Sequence, residues 1–335
     1  MFEISYTYDD VVLLPKFSGL DSRSTVTIAT ELSMVKLELP IIASPMDSVT
    51  GAEMAAWIAQ RGGLGIIHRY NSIEDQANIV KQARSLAGDK VLIGAAVGVN
   101  GDSWDRAQAL VEAGADLLCI DVAHGHTKAT GEQLSRIASK YFDIEIMSGN
   151  ICTTDAAKFS EDNGATVLRV GVGGGSVCTT REVAGVGLGQ LSAIMEIAEM
   201  ANRPIVADGG IRKSGDIVKA LAAGADAVIL GNLLSNYPIS AAPMIGDQKI
   251  FRGMASDSAL SDYKGPTAEY VVEGEHCFVN IDHDYDNTFN NLLKGIRTGL
   301  SYLGARNLEE LREKASFRTV TNNGLREGRP HKLFE

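Results

Sequence analysis

The segment GVGGGSVCTTREVAGVG (171–187) holds the residues best suited to chemistry. Four glycines stand within positions 171–175. They let the backbone adopt positive φ and come close to a ligand. Ser176 adds a hydroxyl, Cys178 a thiol, and Thr179 and Thr180 follow directly. A cysteine on such a loop becomes a thiolate where N–H dipoles stabilise its charge, and a thiolate attacks electron-poor carbon. Cys119 and Cys152 lie in or beside apolar runs and read as inert. Cys277 has His276 as its neighbour, but consecutive strand residues face opposite sides, so it reads as structural. Cys178 is the candidate nucleophile.

Two further loops suit an anion. VADGGIRKSGDI (206–217) and LGN (230–232) offer the N–H groups of Gly209, Gly210 and Gly231, with a helix N-terminus behind them. Asp208 can accept hydrogen bonds from vicinal ribose hydroxyls. Taken together, these residues suggest an enzyme for a phosphorylated ligand.

Eight short apolar runs position these groups. They are 40–46, 63–68, 90–98, 117–123, 144–151, 166–175, 204–210 and 226–232. Several are nearly continuous in apolar residues, as parallel strands buried on both faces require. Helical patterns lie between them, such as 52–63 and 214–225, with Gly pairs and AGAD turns as C-caps. EAGADLL (112–118) and AAGADAV (222–228) echo each other as repeated βα units do.

Eight units predict a closed (β/α)8 TIM barrel. A doubly wound open sheet is the alternative, although no G-x-G-x-x-G follows the first strand. Barrel active sites sit at the C-terminal strand ends. Here those ends carry Asp47, His68, Asp121, Asn150, the 171–175 glycines, Asp208 and Asn232. Residues 1–39 are expected to cover the bottom or side of the barrel. Residues 235–288, before a helix expected at 288–305, are too long for an ordinary loop and read as a flap on the catalytic face.

Composition sets the outer bounds. The 335 residues are 45% hydrophobic and 22% charged, and read as a single barrel domain. Lys+Arg number 31 against 42 Asp+Glu, a net charge of −11. Non-specific nucleic-acid binding and anionic membrane surfaces are therefore disfavoured. No apolar run approaches the roughly 18–20 residues of a membrane span. MFEISYTYDD lacks the pattern of a signal peptide. The four cysteines show no C-x-x-C pair and read as reduced thiols in a cytoplasm.

These residues resemble a known family. YTYDDVVLLP (6–15), SPMDSVT (44–50), GVGGGSVCTTR (171–181), DGGIRKSGD (208–216) and FRGM (251–254) are similar, in order and nearly end to end, to the IMP dehydrogenase and GMP reductase family. The resemblance implies a barrel that binds a purine 5′-monophosphate beside a nicotinamide cofactor, NADPH with NADH or NAD as alternatives. It implies that Cys178 forms a covalent adduct at purine C2. Ser176, Gly210 and Gly231 match phosphate contacts, with Gly209 and Asn232 beside them. Asn232 stands where Ser or Gly is usual. Asp208 matches the ribose contact and Met254 a base contact. Ser44, Met46, Asn150, Arg252 and Gly253 complete the substrate set. Asp121, Val122 and Ala123 match the cofactor side. The carbonyls of Gly173, Gly175 and Cys178 match those that hold a monovalent cation, K+. The resemblance also implies a homotetramer.

Regulatory domains, usual in the dehydrogenases after the second strand, are absent. HRYNSIEDQANIVKQ (68–82) runs directly on to KVLIGAAVG. Resembling dehydrogenases hydrolyse their intermediate with an Arg–Tyr pair on a long flap. No Arg–Tyr dipeptide lies between Met254 and Glu273, and SDYKGPTAEY (261–270) resembles the short reductase flap. Phe251 agrees with the reductases. GGLGIIHRYNSIEDQ (62–76), DVAHGHT (121–127), DGGIRKSGD and the tail GLREGRPH (324–331) look more like dehydrogenases. The flap governs the chemical step, so the expectation is GMP reductase, with Thr180 and Glu273 handling protons at the leaving amine. An IMP dehydrogenase without regulatory domains is the alternative. A flavin-binding barrel and a non-enzymatic nucleotide sensor are the rivals from other classes.

Overall fold

Strand–helix alternation closes on itself. The computed structural model describes residues 3–88, 91–265 and 271–328. Eight parallel strands form a closed barrel: β1 (Ile41–Ala43), β2 (Leu64–Ile67), β3 (Ile93–Val97), β4 (Leu117–Ile120), β5 (Glu145–Ile151), β6 (Val167–Val170), β7 (Ile205–Asp208) and β8 (Ala227–Leu230). Val228 opposite Ile41 closes β8 onto β1. Each matches one apolar run, and all eight are almost wholly buried, because their outward faces meet helices and their inward faces meet one another. The doubly wound alternative is thereby excluded.

The helices follow in order: α1 (Ala52–Gln60), α2 (Ile73–Ala87), α3 (Ser103–Glu112), α4 (Lys128–Lys140), α5 (Thr154–Asp162), α6 (Gln190–Ala198), α7 (Ser214–Ala222) and α8 (Tyr285–Tyr302). Only α2 lies between β2 and β3, so no domain is inserted there. The AGAD echo has a shared geometry. Gly114 and Gly224 take positive φ past α3 and α7. Asp116 and Asp226 then accept the N–H of Ile93 and Ile205 at the foot of the preceding strand. An arginine holds each aspartate in turn, Arg84 and Arg312.

Ile42, Leu64, Ile66, Leu117, Cys119, Met147, Val167, Val206 and Ile229 fill the barrel interior. The hairpin Thr30–Glu31/Lys36–Leu37 plugs its N-terminal end, adding Leu32 and Leu37 to that cluster. Met34 N–H donates to Glu145, the first residue of β5. The expectation of a bottom cover holds for this hairpin. It fails for Thr7–Asp9, which reach the opposite, C-terminal mouth.

The expected flap is structured. Met244–Ile245, Gln248–Arg252 and His276–Asn280 form a three-stranded antiparallel sheet, and Asp257–Lys264 forms a helix within it. Residues 266–270 of the SDYKGPTAEY motif and 329–331 of the tail motif lie outside the described residues. Among the described residues no helix is long and apolar enough to cross a membrane.

Candidate active site

The C-terminal mouth opens into a cavity of about 600 Å³. Its floor is a buried charge network that the strands themselves supply. Arg169 on β6 points inward and bridges two carboxylates: Nη1 lies 2.8 Å from Asp121 Oδ1, and Nη2 lies 2.8 Å from Asp208 Oδ2. Arg69, just past β2, meets Asp121 Oδ2 at 3.3 Å. Burial acts to raise the Asp121 carboxyl, but Arg169 and Arg69 outweigh it and hold it below the usual range. The register between β5 and β6 shifts between Ser148 and Ile151, a bulge of the kind that re-aims side chains near active sites. Asn150, within that bulge, donates from Nδ2 to Gly171 O at 2.7 Å and Asp208 Oδ2 at 2.8 Å.

The β6 and β7 loops lie directly against each other. A Cβ on Gly209 would stand 3.0 Å from the Gly174 carbonyl carbon, and Gly209 has φ +108°. No other residue permits both the close approach and that backbone. Ser176, Gly209, Gly210, Gly231 and Asn232 line this end of the cavity. Tyr8 and Gln190 border it too, although sequence reasoning missed both. The Tyr8 hydroxyl and Gln190 Oε1 are both buried at this border. Their only sequence signal was position: an aromatic within a motif, and a polar residue opening an apolar helix.

Cys178 lines the same cavity. Its Sγ is 3.2 Å from Thr180 Oγ1, and Thr180 donates to Glu273 Oε2 at 2.8 Å. Main-chain bonds hold this row together. Thr179 N–H donates to Glu273 O at 3.0 Å, and Glu275 N–H to Val177 O at 2.8 Å. The flap therefore brings its carboxylate to the cysteine loop although the two residues are far apart in sequence. Met46, Phe251, Gly253 and Met254 line the wall nearby, and Ser44 lies at its base. Asp121, Val122 and Ala123 also line the cavity.

The other cysteines differ. Cys119 is fully buried in the barrel, and burial pushes its thiol up to about 12. Burial also raises Cys152 and Cys277. His276 and Cys277 are both exposed on the flap sheet and line no part of the cavity.

Arg252 departs from the expected substrate set. Its guanidinium faces away from the cavity, to Asp47 Oδ2 at 2.6 Å and Asp262 Oδ2 at 2.6 Å. The carbonyls expected to hold a cation lie on the glycine loop, where Gly175 O already accepts the Cys178 N–H at 3.1 Å. A carbonyl has a second lone pair, so the neutral oxygen set still fits a monovalent cation.

The model of the IMP dehydrogenase / GMP reductase domain matches residues 5–331. The chain belongs to the IMP dehydrogenase / GMP reductase family. The family's members are NAD(P)-dependent purine nucleotide oxidoreductases. An inosine-5′-monophosphate dehydrogenase of Cryptosporidium parvum is 35% identical, over 97% of this chain and 94% of that one. The corresponding enzyme of Halalkalibacterium halodurans is 32% identical over 97% of this chain and 95% of its own. That alignment runs over 467 residues against the 335 here, so that relative carries a segment without counterpart in this chain. A crystal structure of a cysteine-to-alanine GMP reductase from Trypanosoma brucei, in complex with guanosine 5′-monophosphate, superposes with a TM-score of 0.93 at 29% identity, covering 99% of both chains. Both branches of the family are thus represented among the relatives.

Proposed function

We propose that this family member is a GMP reductase: GMP + NADPH + 2H⁺ → IMP + NH₄⁺ + NADP⁺. The observation that carries this reading is the row Cys178–Thr180–Glu273, with sulfur, hydroxyl and carboxylate in consecutive contact. The Cys178 sulfur bonds to purine C2. The C2–N bond then breaks, and a proton from Glu273 reaches the departing amine through the Thr180 hydroxyl. An amide ion is a very poor leaving group, so this proton is required. When bound, NADPH supplies the hydride that C2 gains; the C2–S bond then breaks and the thiolate returns. Ser176, Gly209, Gly210, Gly231 and Asn232 suit the phosphate. Asp208 takes Arg169 and Asn150 on Oδ2, which leaves Oδ1 for ribose hydroxyls. Met46, Gly253 and Met254 suit the base.

The cofactor side fits Asp121, Val122 and Ala123, which share one cavity with Cys178. Arg169 and Arg69 hold Asp121 ionised and still, so it can orient a ribose or amide group. Gly173, Gly175 and Cys178 would hold K⁺ through their carbonyls. A homotetramer and a cytoplasmic setting complete the proposal, the latter in keeping with four unpaired cysteines.

The second reading is IMP dehydrogenase, favoured by the names of the curated relatives. It needs a group that activates water for hydrolysis at C2, and the flap has no Arg–Tyr pair for this. Initial rates with GMP plus NADPH, and separately with IMP plus NAD⁺, read by reduced-cofactor absorbance, separate the two. The proposal expects turnover in the first mixture and none in the second. XMP formed in the second mixture overturns it.

A further inference from the structure

We propose that Arg252 and Asp47 are a positioning pair that sets where Glu273 sits, acting through the Arg252–Ala255 turn and with no guanidinium contact to the nucleotide. The pair is nearly out of solvent, with side-chain exposures of 14% and 9%. Arg252 grips Asp47 Oδ2 from Nε at 3.0 Å and Nη2 at 2.6 Å. Its Nη1 reaches Asp262 on the flap helix. Asp47 follows β1, so this one guanidinium ties the barrel to the start of the turn and to the flap helix.

The backbone is tied at the same place. Ser48 Oγ donates to Arg252 O at 3.1 Å, and Asp47 N–H meets Met254 Sδ at 3.3 Å. Tyr70 Oη donates to Met254 O at 2.7 Å, while its ring stacks on Tyr263 of the flap helix at 4.3 Å. The turn so held is the one that holds Glu273. Glu273 N–H donates to Ala255 O at 3.0 Å, and Gly253 N–H to Glu275 O at 3.0 Å. Glu273 is threaded between this turn and the cysteine loop, so a shift of the turn moves its carboxylate away from Thr180. Two guanidinium N–H groups converging on one carboxylate oxygen, with a third reaching Asp262, define position where a point charge does not.

The inference rests on the reading of Glu273 as proton carrier. The test therefore uses Arg252→Lys, Glu273→Gln and the double variant, with each rate measured for GMP deamination and for hydride exchange between IMP and the cofactor. Lysine keeps the charge but loses the fork. Small displacements of a catalytic group cost up to about 10²-fold, so deamination by Arg252→Lys should fall about 10–100-fold. Gly253 and Met254 of the same turn line the nucleotide cavity, so KM for GMP should also rise, but by less than kcat for deamination falls, and hydride exchange should suffer less. The double variant should be no slower than Glu273→Gln alone, because both remove the same proton delivery. Additive losses overturn the proposal, as does a tenfold rise in KM at unchanged kcat. Undiminished deamination by Glu273→Gln instead overturns the reading on which it rests. If Arg252→Lys lacks a cooperative melt, Asp47→Asn, which removes the charge and keeps the shape, carries the same comparison.

Discussion

Thr180 Oγ1 and Glu273 Oε2 meet at 2.8 Å across the boundary between the barrel and its flap. The hydroxyl also faces Cys178 Sγ, so a proton leaving the carboxyl has a path to an atom bonded at the sulfur. General acid catalysis is worth about 10²–10⁴-fold. Glu273→Gln should therefore slow GMP deamination by at least about 10²-fold, with little change in GMP binding measured by calorimetry. Thr180→Val should act in the same direction. Unaltered deamination rates in both variants would remove the relay.

Cys178→Ala should abolish turnover and keep nucleotide affinity, since the phosphate and ribose contacts are made by other residues. Iodoacetamide should label Cys178 in the free protein, and GMP should protect it. Cys119, enclosed in the barrel with its thiol pushed up to about 12, should stay unlabelled until the protein unfolds. Peptide mass mapping reads all three outcomes. Rapid native-state labelling of Cys119 would contradict the packing.

Arg169, itself buried, neutralises two half-buried carboxylates at once. Breaking such a site by removing one partner typically costs about 3–5 kcal/mol, so Arg169→Met should melt at a clearly lower temperature at neutral pH. The pH dependence has a definite sign. Asp121 is depressed in the folded protein, so its contribution is complete above its unfolded pKa of about 4. That contribution is lost as pH falls through the depressed folded value. In Arg169→Met the burial of Asp121 is opposed by Arg69 alone, and the carboxyl rises. The destabilisation of the variant should therefore shrink on acidification. A gap between the two melting curves that stays constant from pH 7 to about 4 would contradict the network.

Four chains per particle are expected by light scattering at micromolar concentration. Like-charge repulsion between subunits of net charge −11 is screened within about 8–10 Å at physiological salt. A mass equal to one chain contradicts the tetramer.

The sequence revealed the barrel because its strands are buried on both faces, and each therefore stands out as a short apolar run. Cys178 and the glycines at 209, 210 and 231 were visible for a related reason: they punctuate strand ends, where composition changes abruptly. Arg169 was not visible as a site residue. A single arginine inside VLRV carries no local signal, and its partners Asp121 and Asp208 lie on other strands. Thr7–Asp9 were placed at the wrong end, because nothing local tells an N-terminal arm which mouth of a barrel it crosses. Arg252 was taken as a substrate contact from its motif, and only the fold shows that Asp47 and Asp262 claim its guanidinium.

Amino-nitrogen fate tests the central claim most directly. GMP labelled with ¹⁵N at the 2-amino group is incubated with the wild-type protein and NADPH, and the nitrogen is followed by NMR. The account predicts labelled ammonium appearing in step with IMP and NADP⁺. Retention of the label in GMP, together with XMP formation from IMP and NAD⁺ by the same preparation, would contradict it.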